Sequence, residues 1–147
     1  MSKRRALTGR TLAVASLALL IACVSGEEPG YENAEQPVVV VESSVCRVEY
    51  TVTGQWGTGF GANVRVTNKS GGPLQNWALS WDFPSGQRIT SLWNGTYTQS
   101  GSRVEVKNPS WGTTLQPNSP ADIGFNGTHN GTNNAPTGFT LNGATCS

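Results

Sequence analysis

The chain of 147 residues is sparsely charged, with 13% Asp, Glu, Lys and Arg and a formal net charge of +1 at pH 7. This length fits one domain of about 100 to 150 residues. The near-neutral balance lacks the basic excess of nucleic-acid-binding domains, so no nucleic acid is expected as a partner. The 18 glycines and 8 prolines separate short apolar runs, which is typical of an all-β domain with many turns.

The N-terminus has the pattern of an export signal. Four basic residues precede an apolar run over residues 12–22, and this run is shorter than the roughly 18 residues that a membrane span needs. It ends in Leu20-Ile21-Ala22-Cys23, which resembles the lipobox of bacterial lipoproteins. Residues 1–22 are therefore predicted to be a lipoprotein-type signal peptide, and Cys23 is predicted to carry the lipid. The alternative is an ordinary signal peptide that is cut a few residues later, with Cys23 discarded.

Residues 23–45 have the composition of an acidic, flexible tether. The segment holds five glutamates and no basic residue, with prolines and glycines among them. The four valines from Val38 to Val41 are the exception, since they could pair at a sheet edge or remain extended. Without the signal, six basic residues stand against nine acidic ones. The expected location is the bacterial cell envelope or surface, with membrane contact only through the lipid; a secreted soluble protein is the alternative.

Alternation of apolar and polar residues predicts β-strands from Cys46 onward. The run over residues 77–83 places Trp77 and Trp81 on one apolar face, so both are predicted to lie in the core. Further candidate strands are residues 62–67, 88–93, 96–100, 103–107, 121–127 and 137–143. Short strands at this spacing predict an all-β, antiparallel β-sandwich of the jelly-roll or immunoglobulin-like kind over residues 46–147.

The three cysteines divide into a pair and a single residue. Cys46 and Cys146 bracket the β region, and they form a natural pair in an oxidising compartment. A bond between them would join the first and last strands and close a loop of about 100 residues. Cys23 is the odd residue, which agrees with its lipidation.

Three tryptophans, Trp56, Trp93 and Trp111, stand beside glycine in turn-like sequence. Glycine bends the backbone there and clears bulky neighbours from each ring, so flat aromatic faces are expected to point outward. Such faces suit the flat, C–H-bearing sides of the sugars in a β-linked glucan. Rings two strands apart on one sheet face would be spaced by roughly 10 Å, which is comparable to the two-sugar repeat of that polymer.

The alternative for these tryptophans is that they cover loop ends against the core, where most tryptophans lie. Trp93 is the weakest of the three in this respect, because Ile89 and Ser91 share its face in a regular strand. The two interpretations predict opposite exposures of the rings.

The order of residues along the β region resembles that of the family 2 carbohydrate-binding modules. The resemblance runs from Cys46 to Cys146, essentially the whole folded part. The matching positions are Cys46, Gln55-Trp56, Gly59-Phe60, Ala62-Asn63-Val64, Asn68, Asn76-Trp77-Ala78-Leu79, Phe83-Pro84-Ser85-Gly86, Trp93, Gln99-Ser100-Gly101, Trp111, Gly124-Phe125, Asn133-Asn134-Ala135-Pro136-Thr137-Gly138-Phe139-Thr140-Leu141-Asn142-Gly143 and Cys146. The resemblance implies a β-sandwich with a terminal disulfide that adsorbs to crystalline cellulose.

The resemblance also implies roles for individual residues. It implies that Trp56, Trp93 and Trp111 form a planar strip and that Asn63 and Asn126 hydrogen-bond sugar hydroxyls beside it. For the two asparagines, ordinary strand or turn polarity stays the alternative.

The position three residues after the first surface tryptophan separates the branches of this family. In the xylan-binding branch an arginine there turns the ring out of plane, whereas this chain has Gly59 and keeps the third ring. The resemblance is therefore to the cellulose-binding branch. Gly54, Ser91 and Asp122 stand where the family commonly has side-chain amides, so thinner hydrogen bonding beside the strip is expected.

The folded region suggests no catalytic constellation. Glycoside hydrolysis needs two carboxyl groups about 5 to 9.5 Å apart across a cleft. No such pair is suggested by the spacing of the candidates, which are Glu49, Asp82, Glu105 and Asp122. His129 stands alone in a loop and is interpreted as a turn residue. Neither a metal nor a cofactor is expected.

The sequence thus predicts non-catalytic polysaccharide binding by a monomer, with separate polysaccharide-degrading enzymes as expected partners. The alternative ligand is xylan or another glycan. An alternative of a different class is surface adhesion or a protein interaction through the same aromatic patch.

Overall fold

The strands form two facing antiparallel sheets. The computed structural model describes residues 38–146, and the regular elements of this range are all β-strands. They are β1 (Val38–Glu42), β2 (Cys46–Trp56), β3 (Gly59–Asn68), β4 (Leu74–Gln75), β5 (Ala78–Asp82), β6 (Arg88–Trp93), β7 (Thr96–Ser100), β8 (Arg103–Lys107), β9 (Thr114–Leu115), β10 (Pro120–Thr128), β11 (Thr137–Leu141) and β12 (Ala144–Thr145). The first sheet has the order β1-β2-β3-β10-β6, the second sheet has the order β12-β11-β5-β8-β7, and β4 pairs with β9 in a short ribbon. Residues 38–146 contain no helix that is long and apolar enough to cross a membrane.

The core lies between the two sheets and is rich in aromatic side chains. The apolar side of β2 is buried as predicted, and so are Trp77 and Trp81. Trp81 of the second sheet stacks against Phe125 of the first sheet, with ring centroids 5.8 Å apart. Burial raises the pKa of the Tyr50 hydroxyl in the same cluster. The predicted antiparallel β-sandwich is confirmed by this packing of one sheet on the other.

The first sheet begins before Cys46, with β1 at its edge. This strand pairs with β2 along its whole length, because a run of β-branched valines suits a strand. Its last residue, Glu42, accepts a hydrogen bond of 3.1 Å from Arg47 of β2. Residues 38–42 are therefore part of the sheet, which is the first of the two alternatives given for the four valines. The rest of the tether before β1, the predicted signal peptide and Cys23 lie outside the described residues.

The predicted disulfide between Cys46 and Cys146 is confirmed. The two Cα atoms are 5.1 Å apart and the sequence separation is 100 residues. Cys46 begins β2 of the first sheet, and Cys146 directly follows β12 of the second sheet. The bond thus ties the two sheets together, and both cysteines are fully buried.

Candidate functional site

Three of the five tryptophans are exposed, and the other two are buried in the core. The exposed fractions are 57% for Trp56, 47% for Trp93 and 77% for Trp111. Such exposure is unusual for the largest apolar side chain, so it calls for a functional reason. Trp56 ends β2 and Trp93 ends β6, while Trp111 lies in the loop between β8 and β9.

A β-bulge turns Trp56 away from the core. Val52 is a core residue, and regular alternation from Val52 would place Trp56 on the same inner face. The pairing of β2 with β3 shifts its register between Val52 and Gly54, which makes Thr53 the extra residue. One extra residue reverses the side of the sheet on which the next side chains lie. Trp56 therefore faces outward.

A second bulge does the same for Trp93. The pairing of β6 with β10 shifts its register beside Asn126, which leaves Thr90 as the extra residue between Ile89 and Ser91. Ile89 is buried, whereas Ser91 and Trp93 are exposed. The expectation that Ile89 and Trp93 share a face is therefore wrong, because that expectation assumed a regular strand.

Both outward rings lie over glycines of the neighbouring strand. Trp56 is paired with Gly59 and Trp93 with Gly124. A Cβ atom added to Gly59 would lie 2.7 Å from Cε2 of Trp56, and one added to Gly124 would overlap the indole of Trp93. Each indole thus occupies the space that a side chain would take, packs one face on backbone and leaves the other face to solvent.

The loop that carries Trp111 is fastened to the core by the buried Trp77. The indole nitrogen of Trp77 donates a hydrogen bond of 3.1 Å to the carbonyl of Gly112, and the amide of Asn108 donates to the carbonyl of Trp77 at 3.1 Å. The amide of Asn76 also donates to the carbonyl of Thr113 at 2.7 Å. The sequence predicted the burial of Trp77 but not this positioning role, although a buried indole N–H generally has an acceptor.

We expect Trp77→Phe to loosen the Trp111 loop more than the rest of the fold. Phenylalanine keeps an aromatic ring in the core but removes the donor to Gly112, whose carbonyl then lacks its partner. Faster amide hydrogen exchange at Gly112 is the expected result. Trp81→Phe is the matched control, because the indole nitrogen of Trp81 has no hydrogen-bond partner among the described residues. Equal effects of both substitutions on the exchange at Gly112 would contradict this role of Trp77.

The exposed rings follow the direction of β10. Trp56 is level with the end of β10, because its partner Gly59 pairs with Thr128, and Trp93 is level with Gly124. The ring of Trp56 reaches toward Gly61, so the two rings are separated by about 10 to 13 Å along the strands. The rings also lie over two adjacent strands, β3 and β10, so the expected spacing of two strand widths is replaced by a spacing that runs mainly along the strands.

Trp111 lies near the opposite end of β10. A groove of about 380 Å³ beside its ring is lined by residues of the Trp111 loop, by Asn94 and by Pro120, Ala121 and Asp122 of β10. The three tryptophans therefore occur in the order Trp56, Trp93, Trp111 along this strand.

Asn63 and Asn126 lie on the same outer face as Trp56 and Trp93. Asn63 pairs with Gly124, directly beside the backbone under Trp93. Asn126 pairs with Gly61 on one side and Ser91 on the other, at the level between the two rings. The structure thus brings both predicted asparagines next to the aromatic rings.

An ion pair on this face was not predicted from the sequence. Arg65 and Asp122 are cross-strand partners, and Nε and Nη2 of Arg65 donate to the two carboxylate oxygens at 2.7 and 3.1 Å. The hydrogen bonds and charge of Asp122 raise the pKa of the Arg65 guanidinium. Long-range pairing between β3 and β10 creates this contact, so alternation within either strand gives no signal for it.

The family model described as the cellulose binding domain, family 2 of the carbohydrate-binding modules, matches residues 46–146. The chain belongs to this family. Its matched region is therefore a carbohydrate-binding module, and polysaccharide binding is its function.

Relatives of the module include a larger enzyme and two isolated binding domains. Endoglucanase CelA of Streptomyces lividans is 50% identical over 103 residues, which are 69% of this chain and 22% of that enzyme. The chitin-binding domain of Chi18aC from Streptomyces coelicolor is 36% identical with a TM-score of 0.58, over 71% of this chain and 96% of that domain. The cellulose-binding family 2 domain from ScLPMO10C is 28% identical with a TM-score of 0.55, over 67% of this chain and 98% of that domain.

The module corresponds to the binding part of such proteins and not to their catalytic part. The chain covers only 9 to 22% of the length of the first curated relatives. In contrast, it covers nearly all of the two isolated binding domains.

The acidic residues of the module lie on strands and pair with basic side chains. Besides the pair of Asp122, the nearest nitrogen–oxygen distances are 2.7 Å for Glu49 with Arg47, 2.8 Å for Asp82 with Arg103 and 3.6 Å for Glu105 with Lys107. Among the described residues, no group of three or more His, Cys, Asp or Glu side chains is placed to hold a metal ion.

His129 of the module takes part in a turn. Its amide donates to the carbonyl of Thr58 at 2.8 Å, and its Nδ1 accepts a hydrogen bond from the amide of Gly131 at 3.1 Å. The ring also contacts Phe60, with centroids 6.2 Å apart. The predicted turn role of His129 agrees with these contacts.

Proposed function

We propose that this module adsorbs to crystalline cellulose through a strip formed by Trp56, Trp93 and Trp111. The main support is the common outward direction of Trp56 and Trp93, each of which lies over a glycine of the neighbouring strand. Rings that rest on backbone can share one plane, because no side chain lifts them from the sheet. A plane of rings is complementary to the flat surface of a crystalline polymer.

Stacking would supply most of the binding free energy. An indole covers the C–H face of a sugar ring and releases the water that both surfaces held. The separation of about 10 to 13 Å between Trp56 and Trp93 along the strands is comparable to the two-sugar repeat of a β-1,4-linked chain. The two rings would therefore meet sugars of the same orientation, and Trp111 would continue the line. Asn63 and Asn126 are proposed to hydrogen-bond the hydroxyls of these sugars.

Adsorption of the protein to insoluble cellulose, xylan and chitin tests the ligand. Chitin is the second candidate, because the chitin-binding domain of Chi18aC is similar to this module in sequence and structure. We expect the largest bound fraction on cellulose at equal accessible surface. Stronger adsorption to chitin or xylan would contradict the cellulose proposal.

We expect Gly59→Arg to weaken adsorption to cellulose and to raise the relative adsorption to xylan. Any side chain at position 59 must displace the ring of Trp56, since the space above Gly59 is filled by Cε2 and Nε1 of that indole. A displaced ring leaves the plane of the strip and suits a twisted chain better than a flat surface. Isotherms on both polymers measure the change.

Gly71→Arg is the control for this substitution. It adds the same side chain at a position where a Cβ atom has no neighbour within 4 Å. Gly71→Arg is expected to leave the ratio of cellulose to xylan adsorption unchanged. An unchanged ratio in Gly59→Arg as well would contradict the assignment to the cellulose-binding branch.

We also propose that the protein is exported and held at the cell envelope by a lipid on Cys23, followed by an acidic tether. The buried disulfide supports export, because such bonds persist in oxidising compartments. Separate polysaccharide-degrading enzymes would act on the polymer that the monomeric module holds near the cell. Intact mass of the membrane fraction tests the lipid, and cleavage after Cys23 would contradict it.

A further inference from the structure

We propose that Arg65, held in place by Asp122, is a further polysaccharide-binding residue that donates hydrogen bonds to sugar hydroxyls beside the aromatic strip. This inference rests on the proposed function, because it concerns the same face of the first sheet. The sequence predicted fewer hydrogen bonds to the ligand, because Asp122 stands where the family commonly has a side-chain amide. The role proposed for Arg65 revises this expectation.

The position of Arg65 supports this role. Asn63 and Arg65 are successive outward residues of β3, and Asn63 pairs with Gly124 under the ring of Trp93. Arg65 is thus the diagonal neighbour of Gly124, with Cα atoms about 7 to 8 Å apart. Asp122 also lines the groove beside Trp111. The ion pair therefore lies between the levels of Trp93 and Trp111, next to the path of the bound chain.

The ion pair leaves donors free for a ligand. Arg65 uses Nε and Nη2 for Asp122, while a guanidinium carries five N–H groups in a rigid fork. The side chains of Arg65 and Asp122 are 53% and 55% exposed. Asp122 fixes the fork in one orientation, which lowers the conformational entropy that a flexible arginine would lose on binding.

The surroundings of Arg65 are polar and concave. A depression of about 200 Å³ is lined by Glu49, Thr51, Asn63, Arg65 and Asp122. Carboxylate, hydroxyl, amide and guanidinium groups together offer both donors and acceptors, as the hydroxyl groups of a neutral sugar require. An apolar polymer or an aromatic ligand would leave these groups without partners. The chemistry thus favours the hydroxyl groups of a neutral β-linked glycan.

Arg65→Met tests the inference, with Arg103→Met as the matched control. Methionine keeps an apolar stem of similar length and removes the donors. Arg103 forms an ion pair with Asp82 at 2.8 Å, with similarly exposed side chains, but it belongs to the second sheet. Adsorption isotherms on insoluble cellulose are measured for both variants, for Trp93→Ala and for the unsubstituted protein, with thermal unfolding as a check of the fold.

We expect Arg65→Met to lower the affinity for cellulose about three- to tenfold, as for the loss of a hydrogen bond to an exposed charged group. The affinity of Arg103→Met should stay within about twofold of that of the unsubstituted protein, because exposed groups far from the site act independently of it. Arg65→Lys keeps the charge but not the fork, so an intermediate affinity is expected.

Two outcomes would overturn the inference, and they differ from failure of the proposed function. In the first outcome, Arg65→Met and Arg103→Met have equal affinities while Trp93→Ala binds poorly. This result would mean that Arg65 does not bind the polysaccharide, and it would leave the proposed strip of tryptophans unaffected. In the second outcome, Arg65→Lys and the unsubstituted protein have equal affinities. This result would mean that the positive charge suffices and that the fixed orientation of the guanidinium does not contribute to binding. A lack of cellulose adsorption by the unsubstituted protein would instead overturn the proposed function.

Discussion

Replacing any one of Trp56, Trp93 and Trp111 by alanine is expected to weaken adsorption to cellulose by about 1 to 3 kcal/mol, or roughly five- to 150-fold in affinity. The magnitude is that of stacking one aromatic side chain on a flat ring of similar size. Each ring exposes about half of its surface or more, so its loss removes a contact without opening a cavity in the core. Adsorption isotherms on insoluble cellulose measure the effect.

The fold should survive these substitutions, which makes the loss of adsorption interpretable. The rings of Trp56 and Trp93 lie on the outer surface of the sheet, over glycines. The loop of Trp111 is held by the hydrogen bond from Trp77, while Trp111 itself is 77% exposed. Thermal unfolding is therefore expected to change little.

Val38→Ala controls for exposed apolar surface in general. Val38 is 55% exposed on the edge strand of the same sheet but has no aromatic face, and its replacement should leave adsorption unchanged. Cellulose adsorption retained by all three tryptophan variants would contradict the strip. A loss in only one variant would contradict a shared plane.

The three rings of the proposed strip would also bind as a multivalent unit. When one ring has docked, the others meet the same polymer at a high effective concentration. Removing two rings is therefore expected to reduce the affinity by more than either single loss, down to a level near that of a protein without the strip.

The sequence predicted most of the strands because their cause is local. The candidate strands at 88–93, 96–100 and 103–107 have the bounds of β6, β7 and β8, although a bulge interrupts the alternation of β6. Burial of one side of each strand requires a period of two residues, and this period can be counted along the chain. The fold class therefore followed from the sequence.

The outward direction of Trp56 and Trp93 could not be derived from alternation. Both rings depend on β-bulges at Thr53 and Thr90, and a bulge is defined by the strand that lies opposite. The two bulges flank the pair of Gly61 and Asn126 in the middle of the sheet. Threonine in a strand is common, so neither bulge has a signal that a single sequence would show.

The glycines under the rings could not be identified from the sequence either, because they too depend on strand pairing. The sequence drew attention to glycines next to each tryptophan along the chain, whereas the rings rest on Gly59 and Gly124 of neighbouring strands. The resemblance to the family gave Gly59 a role in the orientation of Trp56, whereas it gave Gly124 no role. Only the pairing of β10 with β6 identifies Gly124 as the support of Trp93.

Breaking the disulfide between Cys46 and Cys146 is expected to lower the free energy of unfolding by roughly 4 to 5 kcal/mol in the chain-entropy model, because the bond closes a loop of about 100 residues. This is a large share of the roughly 5 to 15 kcal/mol that stabilises a typical domain. Urea unfolding with and without reductant measures the loss, and a midpoint shift on the order of 2 to 4 M is expected.

The position of this bond should separate stability from binding. Cys46 stands at one end of β2 and Trp56 at the other, so the aromatic strip keeps its bulges and glycines as long as the sandwich stays folded. The double variant Cys46→Ser with Cys146→Ser should unfold at the same urea concentration with and without reductant, yet adsorb to cellulose normally in the absence of urea. Loss of adsorption from a fully folded double variant would mean that the disulfide shapes the binding face directly, and an unchanged midpoint would mean that the unfolded chain is already compact without the bond.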